Sequence, residues 1–200
     1  MEIEIKPLSP KLLNDFLHFF DNIGFTDNPD WSGCYCRYFH FNGTPEEWGN
    51  AGKEENRGCS IDLINSGNLK GYIAYSENKP VGWCNANLKK EFVMLKRKEE
   101  LLSHEDEKIV SVVCFVIAPG FRKKGIANAL LNRVIEDYSG TGIQYIEAYP
   151  KIGADSDAHN FMGPVSLYEK LGFVKLKTVG SIQMMKKKVY QDSPKNEQKN

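Results

Sequence analysis

The sequence has no surplus of charge of either sign: 26 lysine and arginine residues balance 26 aspartate and glutamate residues among 200. Binding to nucleic acid through phosphates needs a clear basic excess, so we expect no nucleic-acid partner. No apolar run is long enough to span a bilayer. The start, Met1–Lys6, has neither the basic nor the apolar segment of a signal peptide. We therefore expect no membrane partner and a cytoplasmic location.

The sequence also lacks a disulfide framework. Its five cysteines are odd in number and show no dense spacing, which is typical of reduced thiols in a cytosolic protein. Cys34, Cys36 and His40 have the residue types of a metal site. No second pair of ligands follows at a convincing spacing, so we expect no metal. A thiol- or metal-binding interaction protein that uses these three residues remains an alternative.

The apolar content is sufficient for a folded core. Hydrophobic residues make up 41% of the chain and aromatic residues 12%, which is typical of a globular protein rather than a disordered one. A chain of this length favours one domain. We expect that domain to cover residues 1–190, followed by a polar, disordered tail over residues 191–200.

The periodicity of apolar residues predicts a mixed order of strands and helices. The predicted strands are a short one at Ile3 and Ile5, a hairpin of Gly71–Tyr75 and Val81–Asn85, a buried central strand over Ile109–Ala118, a strand over Gln144–Tyr149 and a terminal hairpin over Phe173–Val189. The predicted helices follow Ser9-Pro10, the capping box Thr44–Glu47, Gly125 and Gly163. Residues 26–43 are predicted to be irregular, and the charged residues 89–108 to form a surface excursion.

A turn between the central strand and the next helix carries the main chemical signal. The strand stops at Pro119, and the chain then runs through Arg122-Lys123-Lys124-Gly125 into the helix. The first N–H groups of a helix have no intrahelical partner and lie at the positive end of its dipole. Small residues there allow a close approach, and the basic side chains add charge. This turn is predicted to bind a pyrophosphate; an ordinary strand–helix connection is the alternative.

From about Val110 to Val174 the chain resembles the GNAT superfamily of acetyl-CoA-dependent N-acetyltransferases. Three segments carry the resemblance in the expected order: Cys114–Pro119, Arg122–Ala127 and Leu167–Phe173. The resemblance implies an α/β fold, namely a single GNAT-like domain whose mixed central sheet has splayed parallel strands flanked by helices. It also implies an enzyme that moves an acetyl group from acetyl-CoA, its co-substrate, to a primary amine by direct attack.

The resemblance further implies which residues contact the cofactor. In GNAT proteins the strand before the turn exposes its backbone to the pantetheine arm, the turn and the first helical residues cradle the pyrophosphate, and an asparagine and an aromatic residue complete the site. By position these are Phe115, Val116 and Ile117; Arg122, Lys123, Lys124, Gly125, Ile126, Ala127 and Asn128; and Asn160 and Phe173. Asn160 stands eight residues before Tyr168, where many members have seven.

Two residues are candidates for proton transfer. Tyr168 matches the tyrosine that in many GNAT members lies near the thioester sulfur, and the pKa of a phenol is near that of a thiol. Packing beside Leu167 and Leu171 is its alternative role. Glu147 lies on the strand after the cofactor helix, where a carboxylate could deprotonate the amine. An ordinary solvent-facing strand residue is the alternative for Glu147, and the sequence slightly favours it.

The acceptor is predicted to be a small-molecule or peptide amine. In this superfamily the N-terminal helices and their loop form the acceptor wall, so the candidate substrate-binding residues are Trp31, Tyr35, Tyr38, Phe39, Trp83 and Asn85. An aromatic core beneath a long loop explains the same residues equally well. A non-catalytic acyl-CoA-binding sensor or regulatory module is the alternative function. The sequence leaves open whether the protein is a monomer or a homodimer.

Overall fold

A computed structural model describes residues 1–102, 108–154, 156 and 159–189, so the predicted tail over 191–200 lies outside the described residues. Over these ranges seven strands form one sheet in the order β1-β2-β3-β4-β5-β7-β6. The strands are β1 (Glu4–Pro7), β2 (Gly71–Ser76), β3 (Lys79–Leu88), β4 (Ile109–Ile117), β5 (Tyr145–Ala148), β6 (Val174–Val179) and β7 (Ile182–Lys188). The α-helices are α1 (Leu13–Asn22), α2 (Pro45–Asn50), α3 (Lys53–Asn65), α4 (Val93–Lys96), α5 (Ile126–Tyr138) and α6 (Val165–Lys170).

The first four strands form an antiparallel meander. β2 and β3 are joined by a two-residue turn in which Glu77 and Asn78 both take left-handed backbone angles, with φ of 50° and 61°. Such turns match the twist of paired strands, which is why this short connection closes the predicted hairpin. β3 then pairs with β4 in an antiparallel register that shifts between Asn85 and Ala86.

The sheet opens between its two parallel strands. β4 and β5 pair from Ile109↔Tyr145 to Val112↔Ala148, and there β5 ends while β4 continues to Ile117. The last five residues of β4 therefore have no strand beside them on that edge. This opening confirms the splayed parallel strands and mixed sheet expected from the sequence.

Two layers of helices cover the sheet. α5 packs its apolar side on one face through Ile126, Leu130, Leu131 and Val134, which are all buried. On the other face lie the aromatic side of α1 and the irregular segment 23–44. Because β4 is covered on both faces, all of its residues except the last are buried, as its unbroken apolar run predicts.

The charged segment 89–102 is more buried than the sequence predicts. Lys89 is 1% exposed, and Phe92, Leu95 and Leu101 enter the core on the α1 side of the sheet. The expected surface excursion is therefore wrong for its first half, because these residues form a cover over the end of β3. Within the described ranges, no helix has the length and apolarity needed to cross a membrane.

Candidate active site

A cavity of about 1370 Å³ lies where β4 and β5 separate. Its walls are the free end of β4, the turn before α5, the irregular segment on the α1 side and the segment 160–164 that precedes α6. A cavity of this size exceeds what a drug-sized ligand needs and is suited to a long or two-part ligand. Most of the residues predicted to bind a cofactor lie on its walls.

The turn into α5 forms one end of the cavity. Gly125 precedes the helix with φ of 84°, and a Cβ built on it meets no atom within 4 Å. The backbone there is left-handed and faces open space, where a side chain would intrude. Gly125, Ile126 and Ala127 all line the cavity, so the first N–H groups of the helix are presented to it.

The side chains around this turn differ in their orientation. Arg122, Lys123 and Asn128 line the cavity, and the Asn128 Oδ1 atom is buried without a hydrogen-bond partner among the described residues. Lys124 does not line the cavity; its Nζ atom lies 5.3 Å from the ring centroid of Phe121. An amide oxygen left without a partner at a cavity wall is a group that a ligand or water can satisfy.

Arg122 is already paired with a carboxylate. Its guanidinium donates two hydrogen bonds to Asp27, at 2.5 Å and 3.1 Å, and its Nε donates to the Ile117 carbonyl at 3.2 Å. The hydrogen bond from Arg122 lowers the pKa of Asp27 below its ordinary value. Any phosphate that binds Arg122 therefore competes with Asp27. The contact between Arg122 and Asp27 links the loop before α2 to the predicted phosphate turn.

The free edge of β4 is partly occupied by the chain itself. Phe115, Val116 and Ile117 all line the cavity, as predicted. The Phe115 N–H, however, donates a 2.6 Å hydrogen bond to the carbonyl of Phe161. The segment that contains Phe161 thus covers one of the backbone groups that the GNAT resemblance assigns to the pantetheine arm.

Tyr168 lies behind the same segment. It is fully buried, its hydroxyl donates to the Met162 carbonyl at 2.5 Å, and its ring packs on Phe173 at 5.3 Å. Burial raises the pKa of Tyr168 well above its ordinary value, so the phenol keeps its proton. Neither Tyr168 nor Phe173 lines the cavity. Asn160 does line it, and its Nδ2 donates to the Ser156 carbonyl at 3.2 Å.

Glu147 is not a solvent-facing residue, so that alternative is wrong. It is fully buried on β5, with its Oε2 atom 2.9 Å from Lys89 Nζ and 3.1 Å from the Tyr149 hydroxyl. Tyr149 also makes a 2.8 Å hydrogen bond with Ser111 and lines the cavity. Glu147 itself does not line the cavity, so it is connected to the cavity through Tyr149.

The predicted acceptor residues divide into two sets. Trp31, Tyr38 and Phe39 line the cavity. Tyr35, Trp83 and Asn85 are fully buried and lie beneath this wall. Strand register accounts for part of the division, since Trp83 and Asn85 point from β3 into the aromatic core on the α1 side.

The cysteine-rich segment also reaches the cavity. Cys34 and Cys36 line it together with Cys114 of β4. The described part of the chain holds no group of three or more His, Cys, Asp or Glu residues arranged to bind a metal ion. His40 is instead largely buried with its ring 5.1 Å from that of Phe92, and its Nε2 atom has no partner among the residues described.

Three residues of this site were not predicted from the sequence: Asp27, Tyr149 and Phe161. Tyr149 could have been found, because it lies two residues beyond Glu147 and residues i and i+2 of a strand share a face. Asp27 and Phe161 lie in irregular segments. No periodic pattern there indicates which backbone group or side chain will contact the site.

Comparison with known proteins agrees with this arrangement. The sequence matches the acetyltransferase (GNAT) family over residues 34–173, more than half of the chain. No curated protein sequence matches the chain at a significant level.

Several solved structures share its fold at low sequence identity. The PaiA N-acetyltransferase from Thermoplasma acidophilum, in complex with coenzyme A, is 19% identical, with a TM-score of 0.55 over 94% of this chain and 99% of that one. An N-acetyltransferase from Staphylococcus aureus is 13% identical, with a TM-score of 0.56 over 94% and 99%. An aminoglycoside acetyltransferase in complex with coenzyme A is 13% identical, with a TM-score of 0.59 over 94% and 95%.

Proposed function

The chain belongs to the acetyltransferase (GNAT) family, and we propose that it transfers an acetyl group from acetyl-CoA to a primary amine by direct attack. One observation carries this proposal. The open, left-handed Gly125 turn at the start of α5 faces the same cavity as the free edge of β4. A phosphate-binding turn and exposed strand backbone in one cavity suit a ligand with a diphosphate and a long amide-bearing arm.

The residues present fit acetyl-CoA. We assign the diphosphate to the N–H groups of Gly125–Asn128 with Arg122 and Lys123 beside them. The pantetheine arm is assigned to Phe115–Ile117, with Asn160 at the opposite wall. Lys124 and Phe173 support the site from outside the cavity. When bound, acetyl-CoA supplies an activated acetyl thioester; the remaining chemistry belongs to the protein.

We assign proton transfer to the two buried groups next to the cavity. Glu147 is the proposed acceptor for the proton of the amine. It would act through Tyr149, whose hydroxyl contacts the carboxylate and which lines the cavity. Tyr168 is the proposed donor to the departing thiolate, because its hydroxyl carries a proton and contacts Met162, which lines the cavity. In this scheme Tyr168 exchanges its hydrogen bond to Met162 for one to the thiol.

The proposed acceptor is a small-molecule or peptide amine bound against the aromatic wall. Trp31, Tyr38 and Phe39 on the cavity surface support an acceptor with an apolar or aromatic body. Tyr35, Trp83 and Asn85 are proposed to hold this wall in place from beneath. We also propose that the protein acts in the cytoplasm as a monomer or homodimer.

A non-catalytic acyl-CoA-binding module is the second candidate. It is favoured by the hydrogen bond of Tyr168, since the Met162 carbonyl occupies the hydroxyl that the proposed proton transfer needs. A sensor that binds acyl-CoA without turning it over does not require this hydroxyl to be free.

Calorimetric titration with acetyl-CoA tests binding, and release of CoA thiol with a panel of primary amines tests turnover. Gly125→Val places a side chain in the phosphate turn and is expected to weaken binding at least tenfold. Gly120→Val is the matched control, because that exposed glycine of the same turn also has open space around it. Equal affinity in both variants would overturn the assignment of the turn. Tight binding without turnover on any amine would favour the sensor.

A further inference from the structure

Cys36 occupies an unusual position on the α1 side of the cavity. It follows Tyr35 in a turn where both residues have left-handed backbone angles, with φ of 43° and 56°. Such angles are uncommon for residues other than glycine and carry a cost in free energy. The turn directs Cys36 toward the sheet, where it is only 3% exposed to bulk solvent and yet lines the cavity.

A hydrogen-bond donor and two further polar side chains lie around the sulfur of Cys36. The Trp83 indole N–H donates to Sγ at 3.1 Å, and the side chains of Cys114 and Asn85 are close to it. Burial by itself would raise the pKa of Cys36, but the contacts with Cys114, Trp83 and Asn85 lower it below the ordinary value. Donors favour the thiolate because they stabilise the charged form.

The other buried thiols shift in the opposite direction. Burial and the neighbouring Cys36 raise the pKa of Cys34 to about 12. The pKa of Cys114 is raised well above its usual range, first by its hydrogen bond to Cys36 and then by burial. Burial likewise raises the pKa of Cys84, which lies on the opposite face of the sheet. Among these four thiols, Cys36 is therefore the one whose pKa is lowered, and it is the one that accepts the Trp83 hydrogen bond.

This sulfur lies next to the point where β4 becomes free. Cys114, its hydrogen-bonding neighbour, immediately precedes Phe115, whose N–H points into the opening. Asn85, a fully buried residue beside Cys36, has one polar atom without a partner. Its Nδ2 lies 3.5 Å from the Cys36 carbonyl oxygen, and its Oδ1 has no hydrogen-bond partner among the described residues. Buried amide oxygens are normally satisfied, so this one is an exception next to Cys36, although Asn85 itself does not line the cavity.

We propose that Cys36 is an S-acylation site, at which the thiol accepts an acyl group from a thioester bound in the cavity. The inference rests on the proposed function for its thioester but adds a second acceptor to the amine. The Cys36 thiolate attacks the carbonyl carbon, a new C–S bond forms, and the C–S bond of the incoming thioester breaks. The released thiolate takes up the proton that Cys36 gave up to solvent. One thioester replaces another, so no oxidant or further reactant is needed.

Cys36 and a bound amine are proposed to accept the acetyl group of the same thioester. When an amine occupies the acceptor side of the cavity, the acyl group lies out of reach of Cys36. The amine and Cys36 therefore compete for the same acyl group. Acetyl-Cys36 is therefore expected to accumulate when acetyl-CoA is present without an amine, and to fall when a good amine substrate is added.

The experiment incubates the wild-type protein with acetyl-CoA and no amine, and measures the intact mass before and after treatment with neutral hydroxylamine. We expect one added acetyl group that hydroxylamine removes, because it cleaves thioesters and leaves amides intact. Peptide mapping should place this group on Cys36. An acetyl group that resists hydroxylamine, or one that maps to another residue, would overturn the proposal.

Variants separate the chemistry from the fold. Cys36→Ser should lose the labile acetyl group, whereas Cys84→Ser, from the opposite core, should keep it. Trp83→Phe removes the indole donor and should shift the pH midpoint of Cys36 alkylation by iodoacetamide upward, slowing alkylation about fivefold at neutral pH. An unchanged alkylation profile in Trp83→Phe would contradict the role of the donors.

A short acetyl thioester of N-acetylcysteamine, which has no nucleotide, distinguishes this proposal from the proposed function. Labelling of Cys36 by the short thioester without calorimetric binding of acetyl-CoA would support the acylation site and contradict the cofactor assignment. Binding and turnover of acetyl-CoA with no labile acetyl group from either probe would contradict the acylation site alone.

Discussion

The hydroxyl of Tyr168 donates a 2.5 Å hydrogen bond to the carbonyl oxygen of Met162. The preceding carbonyl, of Phe161, accepts a hydrogen bond from the N–H of Phe115. One short segment thus connects α6 with the free edge of β4 and satisfies a polar group on each. For acetyl transfer the segment must release both groups, so Tyr168 is both a structural contact and the proposed proton donor.

The first prediction concerns Tyr168→Phe, which removes the hydroxyl and keeps the ring against Phe173. We expect kcat to fall about a hundredfold, as for loss of a general acid, with KM for acetyl-CoA changed less than about twofold. Steady-state release of CoA thiol measures both constants. The Met162 carbonyl also loses its donor, so a modest drop in thermal stability should accompany the loss.

A control separates these two effects in Tyr168→Phe. Tyr72→Phe removes another buried hydroxyl, on β2 away from the cavity, and should lower stability without lowering kcat. If Tyr168→Phe turns over as fast as wild type, Tyr168 is a packing residue and the proton comes from elsewhere.

The second prediction concerns the pair Arg122 and Asp27. Asp27→Asn removes one carboxylate that competes for the guanidinium, so acetyl-CoA should bind about threefold more tightly. Arg122→Glu should weaken binding at least tenfold, because it places a negative charge beside the diphosphate site. Calorimetry at two salt concentrations measures both, and the gain in Asp27→Asn should shrink at high salt. Weaker binding in Asp27→Asn would mean that Asp27 positions Arg122 rather than competes for it.

Residues with a strong local pattern were predictable from the sequence. The unbroken apolar run of β4 indicates burial on both faces, and the Gly125 turn follows from a strand that stops at a proline and feeds a helix. These features depend on neighbours along the chain. The register between distant segments does not, which explains why the sequence slightly favours a solvent-facing position for the candidate base Glu147: its partner Lys89 lies 58 residues away in a segment rich in charge.

The same limit applies to the cysteines. Cys36 and Cys114 lie far apart in sequence, and their contact depends on a left-handed turn at two residues other than glycine. No propensity indicates such a turn at Tyr35 and Cys36, because it is imposed by the packing of the surrounding aromatic core. A cysteine count therefore predicted reduced thiols and could not predict which one has the environment of a thiolate.

The third prediction concerns the buried pair of Glu147 and Lys89. Glu147→Gln removes the carboxylate that pairs with the Lys89 ammonium, which is 1% exposed. Removing one partner of a buried pair typically costs about 3–5 kcal/mol, so the variant should unfold at much lower urea concentration. Adding Lys89→Met should restore part of that stability, because it removes the other charge of the buried pair.

Activity of the same variants tests the proposed base. If Glu147 accepts the amine proton through Tyr149, the double variant Lys89→Met with Glu147→Gln should stay inactive even where it is folded. Tyr149→Phe, which keeps the ion pair and removes the relay hydroxyl, should also lose most of its turnover. Full activity in a folded double variant would leave the pair with a structural role alone.

The fourth prediction concerns His40 and acid stability. Burial lowers the pKa of His40 to about 4 from an ordinary 6.5, and a hydrogen bond to the Glu91 backbone only partly opposes this. The folded protein therefore keeps the ring neutral, whereas the unfolded chain takes up a proton below pH 6.5. Stability should be unaffected above that pH and should fall by about 3 kcal/mol as the pH drops from 6.5 to 4, with no further loss from this group below 4.

Urea denaturation at several pH values between 7.5 and 4 measures this slope, and His40→Phe isolates the contribution of His40. The variant cannot gain a proton in either state, so its stability should decline less steeply over the window, and the difference from wild type should grow steadily toward pH 4. Carboxylates contribute equally to both proteins and cancel in that difference. A constant difference between His40→Phe and wild type across the window would show that the ring is reached by solvent and protonates in the folded protein.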